Sequence, residues 1–232
     1  LCDWSSDVCS SDLMPAHVAL PSVRYRGAAY LGGGFEPFNV AADPGAAKFQ
    51  VPNLTLRPVD RPVFSERMRL LQQFDHFRRD VDQTGAARSM DQFESRALSI
   101  LTGDRARRAF DLSTEHPRVR DRYGRHVVGQ RLLLGRRLIE AGARIVTVDF
   151  PCVPGQKAFS WDDHASVWNI FEQMKIRLPV LDQVVSALLE DLHDRGLSEE
   201  VLVAVMGEMS HTPRIHYYHG QPGREHWGRT MS

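Results

Sequence analysis

The sequence predicts an α/β fold, a parallel sheet with flanking helices, on three observations. Two short apolar runs rich in β-branching, Arg144–Phe150 and Val201–Met206, have the composition of buried strands. A long helical stretch separates them. The order strand, helix, strand makes a crossover unit with parallel strands and a right-handed connection. Upstream, apolar residues recur at three- and four-residue steps, the period of helices packed on a sheet.

Taken in order, the opening Leu1–Leu13 has no helical or strand period and repeats Ser-Ser-Asp at Ser5–Asp7 and Ser10–Asp12. It reads as a non-native segment, or alternatively a disordered tail, and is set aside from the fold. Residues 14–232 are expected to be part of one α/β domain. Met14 to Pro62 is punctuated by Pro44-Gly45, Pro52, Pro58 and Pro62, which forbid a long helix and predict an irregular lobe with one short extended piece at Leu54-Thr55-Leu56. Gly32-Gly33-Gly34 is followed by neither Lys-Ser/Thr nor a helix, so it is not a phosphate loop. Ser65 can cap a helix carrying Met68, Leu71, Phe74, Phe77 and Val81. Ser89 and Gln92 form a capping box for a second, Met90–Leu101, stopped by Gly103.

Eleven arginines lie between Arg105 and Arg144. They could collect phosphate or sulfate, but Asp104, Asp111, Glu115, Asp121 and Glu140 are interspersed, which favours a solvated helix face. A helix over Arg125–Ala141 carries Val128, Leu132 and Ile139, with Gly142 as its cap. The strand Arg144–Phe150 is followed by a loop reaching Trp161-Asp162-Asp163-His164. Then come an amphipathic segment around Val167–Leu178 and a helix with Pro179 in its first turn. The apolar face of that helix is Val180, Val184, Ala187, Leu188 and Leu192, and Gly196 closes it. Val201–Met206 follows, bounded by Gly207.

Lys+Arg and Asp+Glu both number 29, so the formal charge is zero, which argues against a nucleic-acid binder. No apolar run is long enough to span a membrane. Of the three cysteines, Cys2 and Cys9 lie in the segment set aside, and Cys152 alone leaves the redox compartment open.

Glu208 stands directly after the second strand, and four histidines follow within a short loop: His211, His216, His219 and His226. Parallel strands place their carboxyl ends on one side of a sheet, so the loop carrying Asp162, Asp163 and His164 should leave from the same edge as Glu208. Carboxylates and imidazoles gathered at such an edge are what one or two zinc or manganese ions require. The alternatives are a polar surface loop with exposed histidines and, for Asp162 or Asp163, a helix cap.

These landmarks carry a resemblance. Trp161-Asp162-Asp163-His164, Leu181-Asp182-Gln183, Leu189 to Leu197, Met206-Gly207-Glu208-Met209-Ser210-His211-Thr212-Pro213 and Gly223-Arg224-Glu225-His226-Trp227 occur in the order and spacing of a bacterial family known as domain of unknown function 1501. That family resembles the sulfatase-like proteins of the alkaline phosphatase superfamily, and the similarity runs over roughly residues 14–232. It implies a partial alkaline-phosphatase-like fold and a metal-dependent hydrolase of phosphate or sulfate esters, acting on a small-molecule or polysaccharide ester. It also implies a periplasmic or exported location. The alternative is a non-catalytic binding or surface-associated protein that keeps the fold.

Carried over residue by residue, the resemblance makes Asp162, His164 and His226 ligands of one divalent metal. Glu208 stands where the superfamily has an Asp-His pair, but Met209 follows it. Ser210 and His211 replace the family's Gly-Arg, which makes His211 a candidate substitute donor. Cys152-Val153-Pro154-Gly155-Gln156 lacks the arginine of the sulfatase signature, so Cys152 is not expected to be catalytic. The superfamily's nucleophile lies upstream of anything matched here. The resemblance therefore implies an internal fragment without esterase activity of its own.

Overall fold

The computed structural model describes residues 14–23, 36–51, 62–63, 66–67, 69–70, 104–153, 156, 160–166, 168–207 and 210–228. The segment Leu1–Leu13, the extended piece at Leu54, the helix Met90–Leu101 and Glu208 lie outside them. So does the helix expected from Ser65, apart from short helical pieces at 66–67 and 69–70. The chain divides into two compact units, Leu1–His116 with Leu134–Asp149, and Pro117–Leu133 with Phe150–Ser232.

The first unit holds a three-stranded parallel sheet in the order β2-β1-β3, with β1 His17–Leu20, β2 Phe38–Asn39 and β3 Ile145–Val148. The α/β class holds, and β3 falls inside the expected Arg144–Phe150. Its partner does not. Residues 201–206 form no strand; Leu202 is 92% exposed and Met206 83%. The crossover from β3 into a Val201 strand is thus absent. The central strand is instead β1, whose Val18, Ala19 and Leu20 are fully buried, in a stretch the sequence marked as irregular. Four residues ended by a proline are too short to show a period, and only pairing on both edges makes them a strand.

The exposed apolar stretch has a consequence. Leu202→Lys with Met206→Lys should reduce self-association without lowering the thermal midpoint, because neither side chain is packed. Light scattering and a melting curve check this, and a drop of the midpoint by several degrees would show that the residues contribute to the fold.

Helix α1 (Asp104–Phe110) and a 3₁₀ turn (Leu112–Thr114) precede the part of α3 (Val127–Glu140) that belongs to this unit. Arg136 is 2% exposed. It meets Glu115 at 2.9 Å and Glu140 at 2.5 Å, while Arg137 bonds Glu115 at 2.5 Å and the Ala109 carbonyl at 2.9 Å. Burial works to raise the Glu115 carboxyl, and the two guanidiniums more than offset it, so the group is held below the usual range. Arg136 and Arg137 are therefore neither a phosphate collector nor part of a solvated face; they tie helix to turn. Arg105, Arg107, Arg108, Arg118, Arg125 and Arg144, by contrast, are exposed, as a solvated face requires.

In the second unit, α2 (Pro117–Arg122) packs against α4 (Ile170–Asp194). The Tyr123 hydroxyl donates to buried Asp191 at 3.0 Å. Helix α4 is one 25-residue element rather than an amphipathic segment followed by a helix opened at Pro179. Its cap is Asn169, whose side-chain oxygen accepts from the Phe171 and Glu172 amides at 2.9 and 3.4 Å. Pro179 lies inside the helix on its exposed side, where water can satisfy the carbonyl that proline leaves without a donor. The expected buried face is present at Val184, Ala187, Leu188 and Leu192. Gly142 (φ 107°) and Gly196 (φ 73°) adopt the left-handed conformation that ends their helices, as expected.

Candidate metal centre

The loop at residues 160–166 is held by its buried members. The Trp161 indole donates to the Phe150 carbonyl at 2.6 Å, and the two rings pack edge to face at 5.5 Å. Arg177, from the second turn of α4, lies 5.1 Å over the Trp161 ring and grips Asp163 with two bonds of 2.7 and 3.1 Å. Both partners of that pair have fully buried side chains. Burial pushes the Asp163 carboxyl up, against the pull of Arg177. With Asp163 committed inward, its neighbours Asp162 and His164 stay accessible: their side chains are 48% and 23% exposed.

The other wall comes from the region 210–228. Strands β4 (His216–Tyr218) and β5 (Gln221–Gly223) form an antiparallel hairpin closed by His219-Gly220. Both turn residues have positive φ, 48° and 79°, as a two-residue hairpin turn of the mirror-image type requires. Beyond the hairpin, His211 and His226 face each other across an antiparallel bridge. The bridge is fixed by Thr212 N to Glu225 O at 2.8 Å and Trp227 N to Ser210 O at 2.7 Å. Arg224 adds bonds to the His211 and Thr212 carbonyls at 2.9 and 2.5 Å.

The two walls are joined by Arg224 N to Asp163 O at 2.9 Å and by a close approach at Gly223. A Cβ there would overlap the Ala165 amide and lie 2.6 Å from both the Ala165 Cβ and the His164 carbonyl carbon. Gly223→Ala should therefore push β5 off the loop. We expect a loss of stability of about 1–3 kcal/mol together with weaker metal binding at the cluster proposed below. Unchanged melting and unchanged zinc affinity would show that the backbone yields freely.

One oxygen is the focus of the arrangement. Asp162 Oδ1 lies 2.5 Å from His164 Nε2, 2.9 Å from His226 Nε2 and 3.8 Å from His211 Nε2. The His211 and His226 rings are nearly parallel, at 5.7 Å, and His164 meets His226 edge on at 4.5 Å. Potential ligand atoms of Asp162, His211 and His226 all lie within 4.8 Å of one another. Burial raises and the hydrogen bond from His226, with the charges of His164 and His226, lowers the Asp162 carboxyl, and the net effect is downward. Desolvation, helped by the positive charges of Arg224 and His164, lowers His211 and so favours its neutral form. An ionised carboxylate and neutral imidazole are the states in which these groups bind metal.

Asp162, His164 and His226 are thus brought together, and His211 joins them. Glu208 lies outside the described residues. The convergence does not come from a shared sheet edge, since residues 201–206 form no strand; it comes from an antiparallel bridge laid against the Trp161–His164 loop, all within the second unit. Two contributors went unread in the sequence. Glu225 lies 3.0 Å from His216 Nε2 and 3.3 Å from His164 Nδ1, an ion-pair distance without the alignment of a hydrogen bond. Arg177 holds Asp163. Glu225 could have been noticed from its position beside His226, but Arg177 resembles any other helix arginine.

A mixed α/β chain with one carboxylate and three imidazoles gathered on a loop and a bridge is the class of protein defined so far. The chain belongs to the family described as Protein of unknown function (DUF1501), whose sequence pattern matches residues 5–232. No curated protein and no solved structure matches it.

Proposed function

We propose that this protein is a divalent-metal-dependent hydrolase of phosphate or sulfate esters, with Asp162, His164, His211 and His226 holding one ion. The observation that carries the reading is the convergence of three imidazole nitrogens on a single Asp162 oxygen, at 2.5, 2.9 and 3.8 Å. The donor set fits. Tetrahedral bonds of about 2.0–2.2 Å place neighbouring ligand atoms about 3.4 Å apart. The donors of Asp162, His211 and His226 already lie within 4.8 Å of one another, and His164, 2.5 Å from the shared oxygen, would turn to complete the set. Three nitrogens and one oxygen favour zinc over manganese, which prefers oxygen-rich sites.

When bound, the ion would act as a Lewis acid toward a phosphoryl or sulfuryl oxygen. The protein's own part is to present the donors in register. The Arg177–Asp163 pair fixes the loop, and the bridge spaces His211 from His226. Glu225 stands beside the outer nitrogen of His164, where accepting its proton would leave the inner nitrogen free for metal. The ester substrate is suggested by the resemblance of the family, noted from its motifs, to sulfatase-like proteins.

The test is turnover of 4-nitrophenyl phosphate and 4-nitrophenyl sulfate by the protein at its natural length, with zinc added or chelated, in the native protein and in His226→Ala. Zinc-dependent turnover that His226→Ala abolishes is expected. Zinc binding without turnover of any ester would remove the hydrolase and leave a metal-binding protein.

A further inference from the structure

We infer that the open cleft lined by Thr212, Pro213, Arg214, His216, Glu225 and Trp227 is the subsite for the organic part of the ester, and that it takes a ring bearing its own anionic substituent. The inference rests on the metal-ester reading above and adds the substrate class.

The cleft has a volume of about 450 Å³, within the range of small-molecule sites. Trp227 and Pro213 supply flat apolar surfaces of the kind that stack on rings, beside the polar Thr212, Arg214, His216 and Glu225. It adjoins the cluster through the chain itself. Thr212 follows His211, while Glu225 and Trp227 flank His226. His164 is the partition between the two. Its Nε2 contacts Asp162 at 2.5 Å, and its Nδ1 faces Glu225 of the cleft at 3.3 Å. An ester group at the cluster could therefore extend past one imidazole into the cleft.

The anionic substituent follows from Arg214. Arg224 spends its guanidinium on two backbone carbonyls. Arg214 is exposed, and among the described residues its guanidinium makes no hydrogen bond or ion pair. The Glu225 carboxylate has a histidine close to each oxygen, His216 at 3.0 Å and His164 at 3.3 Å. Arg214 is accordingly an uncommitted cation of the cleft, and a carboxylate, phosphate or sulfate matches its planar fork.

The experiment titrates the zinc-loaded protein by calorimetry with three non-hydrolysable probes: methylphosphonate, phenylphosphonate and 4-phosphonobenzoate. Phenylphosphonate should bind about tenfold tighter than methylphosphonate. The added carboxylate should improve binding by a further factor of about five. Trp227→Ala should erase the gain from the ring, with Trp227→Phe retaining most of it, and Arg214→Ala should erase only the gain from the carboxylate. Both should leave zinc affinity unchanged. Equal binding of the three probes, gains that survive these substitutions, or a preference for 4-(aminomethyl)phenylphosphonate would overturn the subsite. Failure of zinc itself to bind is a separate result, which overturns the metal reading and this one with it.

Discussion

Zinc titrated into the native protein should bind one ion per chain, and His164→Ala or His226→Ala should weaken it about a hundredfold, close to 2.7 kcal/mol. The expectation rests on the contacts of 2.5 and 2.9 Å that these imidazoles make with Asp162. Asp162→Asn should act at least as strongly, since it removes the carboxylate on which the three rings converge. His211→Ala should cost less, because its nitrogen stands further off, at 3.8 Å. The pH dependence has a definite sign. Bound metal and bound protons compete for the same nitrogens, so affinity is lost as pH falls. His211, lowered by burial, stays neutral further down than an ordinary imidazole. Calorimetry at several pH values checks both points. Equal affinity in the native protein, His164→Ala and His226→Ala would show that the cluster is a polar surface and not a metal centre.

Arg177→Met should destabilise the protein by about 3–5 kcal/mol, because it leaves Asp163 buried without its partner. Both side chains are fully buried and joined by two bonds, so water cannot replace the lost charge. For a chain of this length that corresponds to a fall in melting temperature of roughly 10 °C. Asp163→Leu combined with Arg177→Met should recover much of the loss, since no uncompensated charge remains. Zinc affinity should recover less than stability does. The loop would be packed again, but the two bonds that orient it beside Asp162 would still be missing. A double variant no more stable than Arg177→Met would mean that packing, not charge, governs the site.

Local signals in the sequence were dependable where one segment's chemistry decides its own conformation. The helix over residues 127–140, the cap at Gly142, the strand at residues 145–148 and the apolar face of α4 follow from periodicity and turn residues. Pro179 misled as a helix start. Proline suits a first turn, yet it is also tolerated where the freed carbonyl faces water, and exposure cannot be read from composition. The arginine-rich stretch is exposed at Arg105, Arg107, Arg108, Arg118, Arg125 and Arg144, as expected, but not at Arg136, because interspersed acids permit both a solvated face and the buried Arg136–Glu115 contact.

The sequence by itself determined the α/β class, the membership of a family, and the residue types that gather at the candidate site: Asp162, His164 and His226, with His211 marked as a substitute donor. Tertiary structure decided how they gather. It made the short run at residues 17–20 the central strand and left residues 201–206 unpaired, since pairing depends on what lies alongside and not on β-branching alone. It also chose between two adjacent acids. Asp163 turns inward because Arg177 is within reach, and Asp162 is thereby left beside three imidazoles. That choice required a partner fourteen residues away on a helix, and two of the three histidines had to be brought from beyond that helix in the chain, which no local pattern encodes.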